Sequence, residues 1–488
     1  MNAQPSFHVP TVGATRLLIN GAWVDGSAAK MDTFDPATGT PIAEVSVASA
    51  EDVNNAVRSA RNALERGPWS RMDAADRGRL LHKLADLAEK EREALATLES
   101  YNCGMKIGDA RAVVSLVVDS LRYYAGWADK IEGATIPIRG GHLAYTRRQP
   151  VGVVAQITPW NFPLLMLAWK WGPALAAGNT IIMKPAEQTP LTALRMGELA
   201  LEAGFPAGVV NIINGLGETV GDALVTHTGI DKLAFTGHVE TAKVIQRRAA
   251  DTLKRCTFEL GGKSPLVVFD DCDLEEAVDG AYSANYWHAG QCCSAGTRVY
   301  VQRGLREEFV RRLKEKVAAR RIGHQLDELT DQGPQISQDQ LNKIMGYIEG
   351  AQQEGARLVT GGSRIGKQGY FVAPTVFDNV TDDMRIARDE VFGPVASVLE
   401  FDDTAAIIDR ANDTRFGLAA AVFTRDINKA HDFADKIRAG YVWINCYFVM
   451  DAALPFGGVK ESGMGRENGA AALEHYTELK SVIVNRRR

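Results

Sequence analysis

The chain reads as an α/β protein: two lobes of doubly wound parallel sheet with a small β arm beside them. Two alternations of short apolar strands with helices predict the lobes, one over residues 151–235 and a second from 266 to about 445. Strands that take turns with helices end up covered on both faces, which is the pattern of parallel sheets. The arm rests on a third observation. Residues 477–484 alternate loosely and are rich in β-branched side chains, and residues 142–148 alternate in the same way, as edge strands do.

In chain order, residues 17–24 read as a short strand entering the fold, with Asn20-Gly21 as a hairpin turn signal. Asp35-Pro36-Ala37-Thr38-Gly39 is a second turn. A helix begins at Asp73. Leu80, Leu84, Leu87, Leu95 and Leu98 recur at helical spacing with charged residues between them, so this face is core packing. Residues 151–157 form a buried strand, 164–177 a helix, and 180–183, 209–213 and 232–235 three further strands. The second lobe opens with the strand at 266–269, and the lobes join near Gly261-Gly262.

Composition excludes several classes. The chain has 488 residues, 45% hydrophobic and 24% charged, with a net charge of −5. This is an ordinary globular balance with more than one core and no reason to bind nucleic acid. Six cysteines (Cys103, Cys256, Cys272, Cys292, Cys293 and Cys446) are too sparse for a disulfide scaffold, and none sits in a zinc-type spacing. The run MNAQPSFHVP lacks a basic segment followed by an apolar one, so no secretory signal is read there. The most apolar stretch, 162–183, is broken by Pro163, Lys170, Pro173 and Asn179 and reads as core, not a membrane span. Cytoplasm is the expected compartment. Arg486, Arg487 and Arg488 read as a solvated basic tail.

Two strings carry chemistry. Gly290-Gln291-Cys292-Cys293-Ser294-Ala295-Gly296 sets a cysteine in a loop of small residues, and Phe258-Glu259-Leu260-Gly261-Gly262-Lys263 sets a carboxylate before a double glycine. Together they supply a nucleophile and a candidate base. The glycines argue for close backbone approach. Four further segments fall in order around them: Pro159-Trp160-Asn161-Phe162-Pro163, Lys184-Pro185-Ala186-Glu187, Glu390-Val391-Phe392-Gly393-Pro394 and Pro455-Phe456-Gly457-Gly458.

These strings resemble the signatures of the aldehyde dehydrogenase superfamily, and the resemblance runs from about Leu17 to Val484. It implies a Rossmann-like NAD-binding domain over 1–138 and 156–261, and a catalytic domain over 262–446. It also implies arm strands at 139–155 and 470–488 that pair across subunits of a homodimer or homotetramer, and a return segment, 447–469, at the active-site entrance. It implies oxidation of a small-molecule aldehyde to its acid. Cys293, in the Gly-Gln-x-Cys position, would be the nucleophile, Asn161 the oxyanion donor and Glu259 the general base for hydrolysis.

The cofactor implied is NAD, with NADP possible. Lys184 and Glu187 would hold the adenosine ribose, and a carboxylate there repels a 2′-phosphate. Glu390 would bind the nicotinamide ribose and Phe392 lie against the ring, with Ile157, Trp160, Gly217 and Leu260 completing the cofactor set. Gly237 and His238 open a helix whose N-terminus would take the pyrophosphate. Here the chain departs from the family, which usually has a small hydroxyl residue at 238 and a glycine at 242, where this chain has His238 and Ala242.

The substrate funnel would be lined by Leu116, Phe162, Leu165, Met166, Trp169, Trp287, Met450 and Phe456, which suits an aromatic or medium-chain aliphatic aldehyde. Trp169 and Trp287 with Asp451 would alternatively suit a cationic, betaine-type aldehyde. A CoA-acylating relative and a non-catalytic member of the fold are the remaining alternatives. The first is disfavoured by Glu259, the second by the presence of Cys293, Glu259 and Asn161 together.

Overall fold

A computed structural model of the chain describes residues 10–486. Residues 1–9, most of the run read for a secretory signal, and Arg487 and Arg488 of the basic tail lie outside the described residues.

The chain enters through β1 (Leu17–Ile19) and β2 (Ala22–Val24), a hairpin that turns at Asn20 and Gly21 with φ of 55° and 75°. Two successive left-handed residues make the turn whose twist matches that of the strands. After a helix at Ala50–Glu65 come three more: α1 (Ala74–Lys90), α2 (Arg92–Cys103) and α3 (Ile107–Trp127). The leucine spacing predicts one helix running on from Asp73. The structure instead breaks it at Glu91, whose ψ of 18° leaves helical geometry and whose carboxylate accepts from Arg195 Nε at 2.9 Å. Leu84 and Leu95 are fully buried on either side of the break.

The first sheet is then built from β3 (Val153–Ile157), α4 (Pro163–Ala176), β4 (Thr180–Lys184), β5 (Val210–Ile212), β6 (Lys232–Gly237), α5 (Val239–Ala249) and β7 (Arg255–Leu260). Its strand order is β2–β1–β5–β4–β3–β6–β7, followed by the two-residue strand Gly463–Met464. The five inner strands are parallel, as the alternation predicts. The two edges are antiparallel, with β1 on β5 and Gly463–Met464 on β7. An edge strand reached without a crossover runs antiparallel at no topological cost. Every residue of β3, β4 and α4 is buried, so α4 is a core helix sandwiched against the sheet.

Gly261 and Gly262 connect β7 to the second sheet. That sheet contains β8 (Pro265–Val268), β9 (Arg298–Gln302), β10 (Arg357–Thr360), β11 (Thr375–Asp378), β12 (Val395–Phe401), β13 (Ala419–Phe423) and β14 (Tyr441–Ile444), in the order β10–β11–β12–β9–β8–β13–β14. All its pairs are parallel except β10 with β11. The helices α6 (Leu274–Tyr286) and α7 (Gln338–Gln353) belong to this half. The arm forms a separate sheet in which His142–Pro150 pairs antiparallel with Thr477–Asn485 over their whole length and with Thr135–Ile136.

Candidate active site

Parallel strands bring their carboxyl ends to one edge, and ligand crevices form outside that edge. In the first sheet the strand ends are Ile157, Lys184, Gly237 and Leu260. Register sets Ile157 beside Lys184 and Gly237 beside Leu260. Two cavities open there. One, of about 180 Å³, is bordered by Trp160, Asn161, Met166, Gly237, His238, Glu259, Leu260, Cys293, Glu390 and Phe392. The other, of about 850 Å³, is bordered by Ile157, Glu187, Gly217, Phe235 and Glu240.

The loop carrying Cys293 leaves α6 through three successive left-handed residues, His288, Ala289 and Gly290, with φ of 47°, 54° and 73°. A side chain at Gly290 is excluded, since a Cβ would stand 2.1 Å from the Gly393 carbonyl oxygen. Gln291 pins the loop by accepting from Ile336 N at 2.9 Å, and its own carbonyl accepts from Asn161 Nδ2 at 2.9 Å. That bond orients the Asn161 amide toward the Cys293 loop. Of the two adjacent thiols, Cys293 borders the cavity, whereas Cys292 is 5% exposed and packs into the core. The Cys293 thiol is pushed well above its ordinary pKa by its hydrogen bond with Cys292, by burial, and by the carboxylates of Glu390 and Glu259. It rests as a thiol and needs a base to become a nucleophile.

Glu259 lies on β7 directly opposite Thr236 of β6, buried, with Oε2 lacking any protein partner. Burial, then the nearby Glu467 carboxylate, raise its pKa well above the ordinary value. A buried carboxyl with a raised pKa, bordering the same cavity as a cysteine, is suited to general-base work. Beside it sits an ion pair invisible in the sequence strings: Lys170 Nζ of α4 lies 2.6 Å from Glu467 Oε1 and 2.8 Å from Thr236 Oγ1. A lone lysine inside the apolar run 162–183 is the one available signal for it. Nothing in the sequence marks Glu467.

Glu390 accepts from Gly262 N at 3.0 Å, and burial raises its pKa to about 6. Gly261 lets the carboxylate come close, because a Cβ there would fall 2.3 Å from Glu390 Oε2 and displace that side chain. Phe392 stands edge-on to Trp160 with ring centroids 5.3 Å apart, and its carbonyl accepts from Gln340 Nε2 at 2.7 Å. Gln340 and Lys343 of α7 also border this cavity, and neither stands out in the sequence. In the larger cleft Glu187 lies 3.6 Å from the buried Lys184 Nζ, whose pKa burial lowers. Glu218, Asp222 and Glu240 share that wall. Asp222 is held by Arg248 at 2.6 Å.

The apolar set divides. Met166 borders the Cys293 cavity. Leu116, Trp287 and Met450 line a separate chamber of about 520 Å³ together with Phe448, Tyr282, Lys106, Asp109 and Arg320, none of which a sequence string marks. Leu116, Met450 and Trp169 line a neighbouring chamber of about 240 Å³ with Asp119 and Asp451. Phe162, with its ring 4.9 Å from that of Trp287, and Phe456, 5.1 Å from that of Trp169, back these walls. Leu165 is 2% exposed and packs in the core. Trp169 and Trp287 border two adjoining chambers that share Leu116 and Met450.

Strand ends that frame two crevices, with a cysteine, an amide and a buried carboxyl bordering one of them, make a site for covalent catalysis beside room for a nucleotide. The family model of the aldehyde dehydrogenase family matches residues 23–482, so the chain belongs to that family and is an oxidoreductase acting on aldehydes. It is 52% identical over 474 residues to retinal dehydrogenase 2 of Gallus gallus, covering 96% of this chain and 92% of the relative. It is 50% identical to the mitochondrial aldehyde dehydrogenase of Mesocricetus auratus over 97% of this chain and 96% of the relative. Among solved structures, the NAD+ complex of aldehyde dehydrogenase from Bacillus cereus superposes with a TM-score of 0.96 at 49% identity over 97% of both chains. The betaine aldehyde dehydrogenase of Staphylococcus aureus, also an NAD+ complex, gives 0.95 at 42% identity over 97% of this chain and 95% of that one.

Proposed function

We propose that the protein oxidises an aromatic or medium-chain aliphatic aldehyde to its acid with NAD, through a covalent thioester on Cys293. The observation that carries this reading is that Cys293, Asn161, Glu259, Glu390 and Phe392 all border one cavity of about 180 Å³. A nucleophile, a donor, a base and the residues expected at the nicotinamide therefore share one small space.

The groove fits a dinucleotide on its own terms. Its two cavities follow the strand ends, the first turn of α5 stands between them, and a carboxylate waits in each half at Glu390 and Glu187. NAD supplies the hydride acceptor. Glu390 would accept from the nicotinamide ribose and Glu187 from the adenosine ribose. The carboxylates of Glu187, Glu218 and Glu240 around the larger cleft disfavour the extra phosphate of NADP, while Asp222 there is paired with Arg248.

In this mechanism Glu259 takes the Cys293 proton, and the thiolate adds to the aldehyde carbon. The oxyanion is met by Asn161 Nδ2–H and the Cys293 N–H. The carbonyl re-forms as the hydride departs, leaving a thioester. Glu259, having passed its proton outward, takes one from water. The hydroxide attacks the thioester carbon, and the Cys293–carbon bond breaks to release the acid. The CoA-acylating and non-catalytic alternatives have no observation in their favour.

What supports the apolar substrate is the cluster Leu116, Trp287, Phe448 and Met450 on one chamber of about 520 Å³, whose remaining lining includes Lys106, Asp109 and Arg320. Asp119 and Asp451 beside Trp169, with Arg122 of the same chamber neutralised by Asp86, favour a second reading, a cationic aldehyde seated in the smaller chamber. Formation of NADH with a panel of benzaldehyde-type, phenylacetaldehyde-type, aliphatic, betaine and semialdehyde substrates tests both. Turnover of the apolar members is the expected result, and turnover confined to charged members would overturn the substrate reading.

We also propose that the arm pairs subunits into a dimer or tetramer, since Leu479 and Ile483 on Thr477–Asn485 are 60% and 66% exposed. A reducing compartment, the cytoplasm in our reading, suits six free cysteines. Among the described residues no helix is long and apolar enough to cross a membrane.

A further inference from the structure

We infer that the smaller chamber beside Trp169 is a seat for a primary ammonium, in which the Asn468 amide reads the ammonium N–H. This rests on the second reading above and deepens it, naming the kind of cation and the residue that selects it.

The chamber, of about 240 Å³, brings Asp119, Tyr123 and Trp169 together with Asp451 and Asn468. Asp119 and Asp451 are exposed, whereas Asn468 is 3% exposed. The carboxylates therefore stand on the solvent side and the amide on the buried side. Arg122, the basic residue of the lining, is taken by Asp86 at 2.9 Å and by Glu89. Among the described residues no ion pair holds Asp119 or Asp451, and Asp451 Oδ1 accepts from Ala453 N at 2.8 Å. Two uncompensated carboxylates beside two aromatic rings suit a cation.

Asn468 narrows the choice. Its Oδ1 is buried without a hydrogen-bond partner. Buried amides are ordinarily bonded, because an orphan oxygen forfeits the bonds that water would give it. A left-handed backbone, φ 58°, accounts for an asparagine at this position but not for an unbonded amide. A half-turn of the amide exchanges oxygen and nitrogen, so the acceptor can face an occupant while the backbone stays in place. A primary ammonium carries three N–H donors, as a lysine does, and two carboxylates with one amide oxygen offer three acceptors. A quaternary ammonium gains the charge attraction but leaves Asn468 unbonded. An alkyl end gains neither.

The seat lies close to the reacting centre. Met166 borders the Cys293 cavity and Trp169 borders this chamber, and the two stand one turn apart on α4. Side chains at that spacing are about 5–6 Å apart at Cβ. An ω-amino aldehyde of a few carbons spans such a separation. A free alkylamine has the same end group and is the other source of the ligand.

NADH formation by the full-length enzyme tests the inference with ω-amino aldehydes about three to six carbons long, each against its N-trimethyl analogue and the alkyl aldehyde of equal length. Calorimetric titration with n-propylammonium and tetramethylammonium distinguishes the free amine. At its best length the amino aldehyde should exceed the alkyl aldehyde in kcat/KM by about ten-fold or more, and the trimethyl analogue by about five-fold or more. Asn468→Gly suits the left-handed backbone. It should erase the advantage over the trimethyl analogue and keep part of that over the alkyl aldehyde. Asp119→Asn with Asp451→Asn should erase the advantage over the alkyl aldehyde. Ratios between substrates are compared because Asn468 follows Glu467, and a general change at the base cancels from them. Binding of n-propylammonium that is lost in Asn468→Gly, without any preference among aldehydes, supports the seat and makes a free amine its occupant. Absence of both an amine preference and alkylammonium binding overturns the inference and leaves the aldehyde reading standing, as does an advantage over the trimethyl analogue that survives Asn468→Gly. No NADH from any aldehyde overturns the aldehyde reading, and alkylammonium binding then decides the seat alone.

Discussion

At the scale of single residues, the thiol pair makes the sharpest claim. Cys293 faces the cavity and Cys292 faces the core, so Cys293→Ala should abolish both NADH formation and any hydrolysis of activated esters, while Cys292→Ala keeps most of each. Ester hydrolysis that survives Cys293→Ala would show the nucleophile to be another group. Asn161→Ala should cost about 10²–10³ in kcat with little change in substrate affinity, as loss of one oxyanion donor does. Glu259 gives a pH signature. Burial and Glu467 raise its pKa, so the basic carboxylate is lost on acidification at a higher pH than for an ordinary glutamate. Wild-type kcat should fall through that acidic limb, and Glu259→Gln should be slow, by about 10²-fold or more, and without the limb. Cys293, Asn161 and Glu259 are legible in the amino-acid sequence because each sits in a contiguous string. Glu467 is not: its partner Lys170 lies 297 residues away in the chain, and no local pattern encodes that meeting.

At the scale of elements, the start of α4 depends on a buried acid. Glu99 of α2 accepts from Leu164 N at 3.0 Å and from Thr192 Oγ1 at 2.7 Å, so it caps an orphan donor of the helix that follows Asn161. Burial raises its pKa from 4.5 to about 7. The folded form therefore holds the proton more tightly than the unfolded chain. That stabilisation is complete below the unfolded value and is lost as pH rises through about 7. Glu99→Gln should remove on the order of 2 kcal/mol of pH dependence between pH 5 and pH 8, read as the difference between variant and wild-type denaturation midpoints. Strand and helix positions are largely legible, because residues 151–157 and 180–183 are continuous apolar runs and 164–177 carries helical length. The break at Glu91 is not, since the leucine spacing runs on through it and the Arg195 that Glu91 holds lies more than a hundred positions away. The antiparallel edges are hidden for a similar reason: Gly463–Met464 has no strand character of its own and exists only against Phe258 and Glu259.

Across the whole molecule, the arm carries the last prediction. Leu479→Asp with Ile483→Asp should lower the mass observed by analytical ultracentrifugation to that of a smaller assembly, while the lobes keep their far-ultraviolet spectrum. An unchanged mass would mean that the arm joins no subunits. The same pairing of distant segments sets a schedule for biosynthesis. Glu259 sits on β7, yet the strand that flanks it and the Glu467 that tunes it lie about two hundred positions further on. A ribosome makes the cysteine loop, the cofactor groove and most of both sheets before it makes either. The nascent chain therefore displays a reactive-looking thiol with an untuned base, and exposes the open edge of β7 to any passing strand. Competence arrives late and at once, when the returning segment docks.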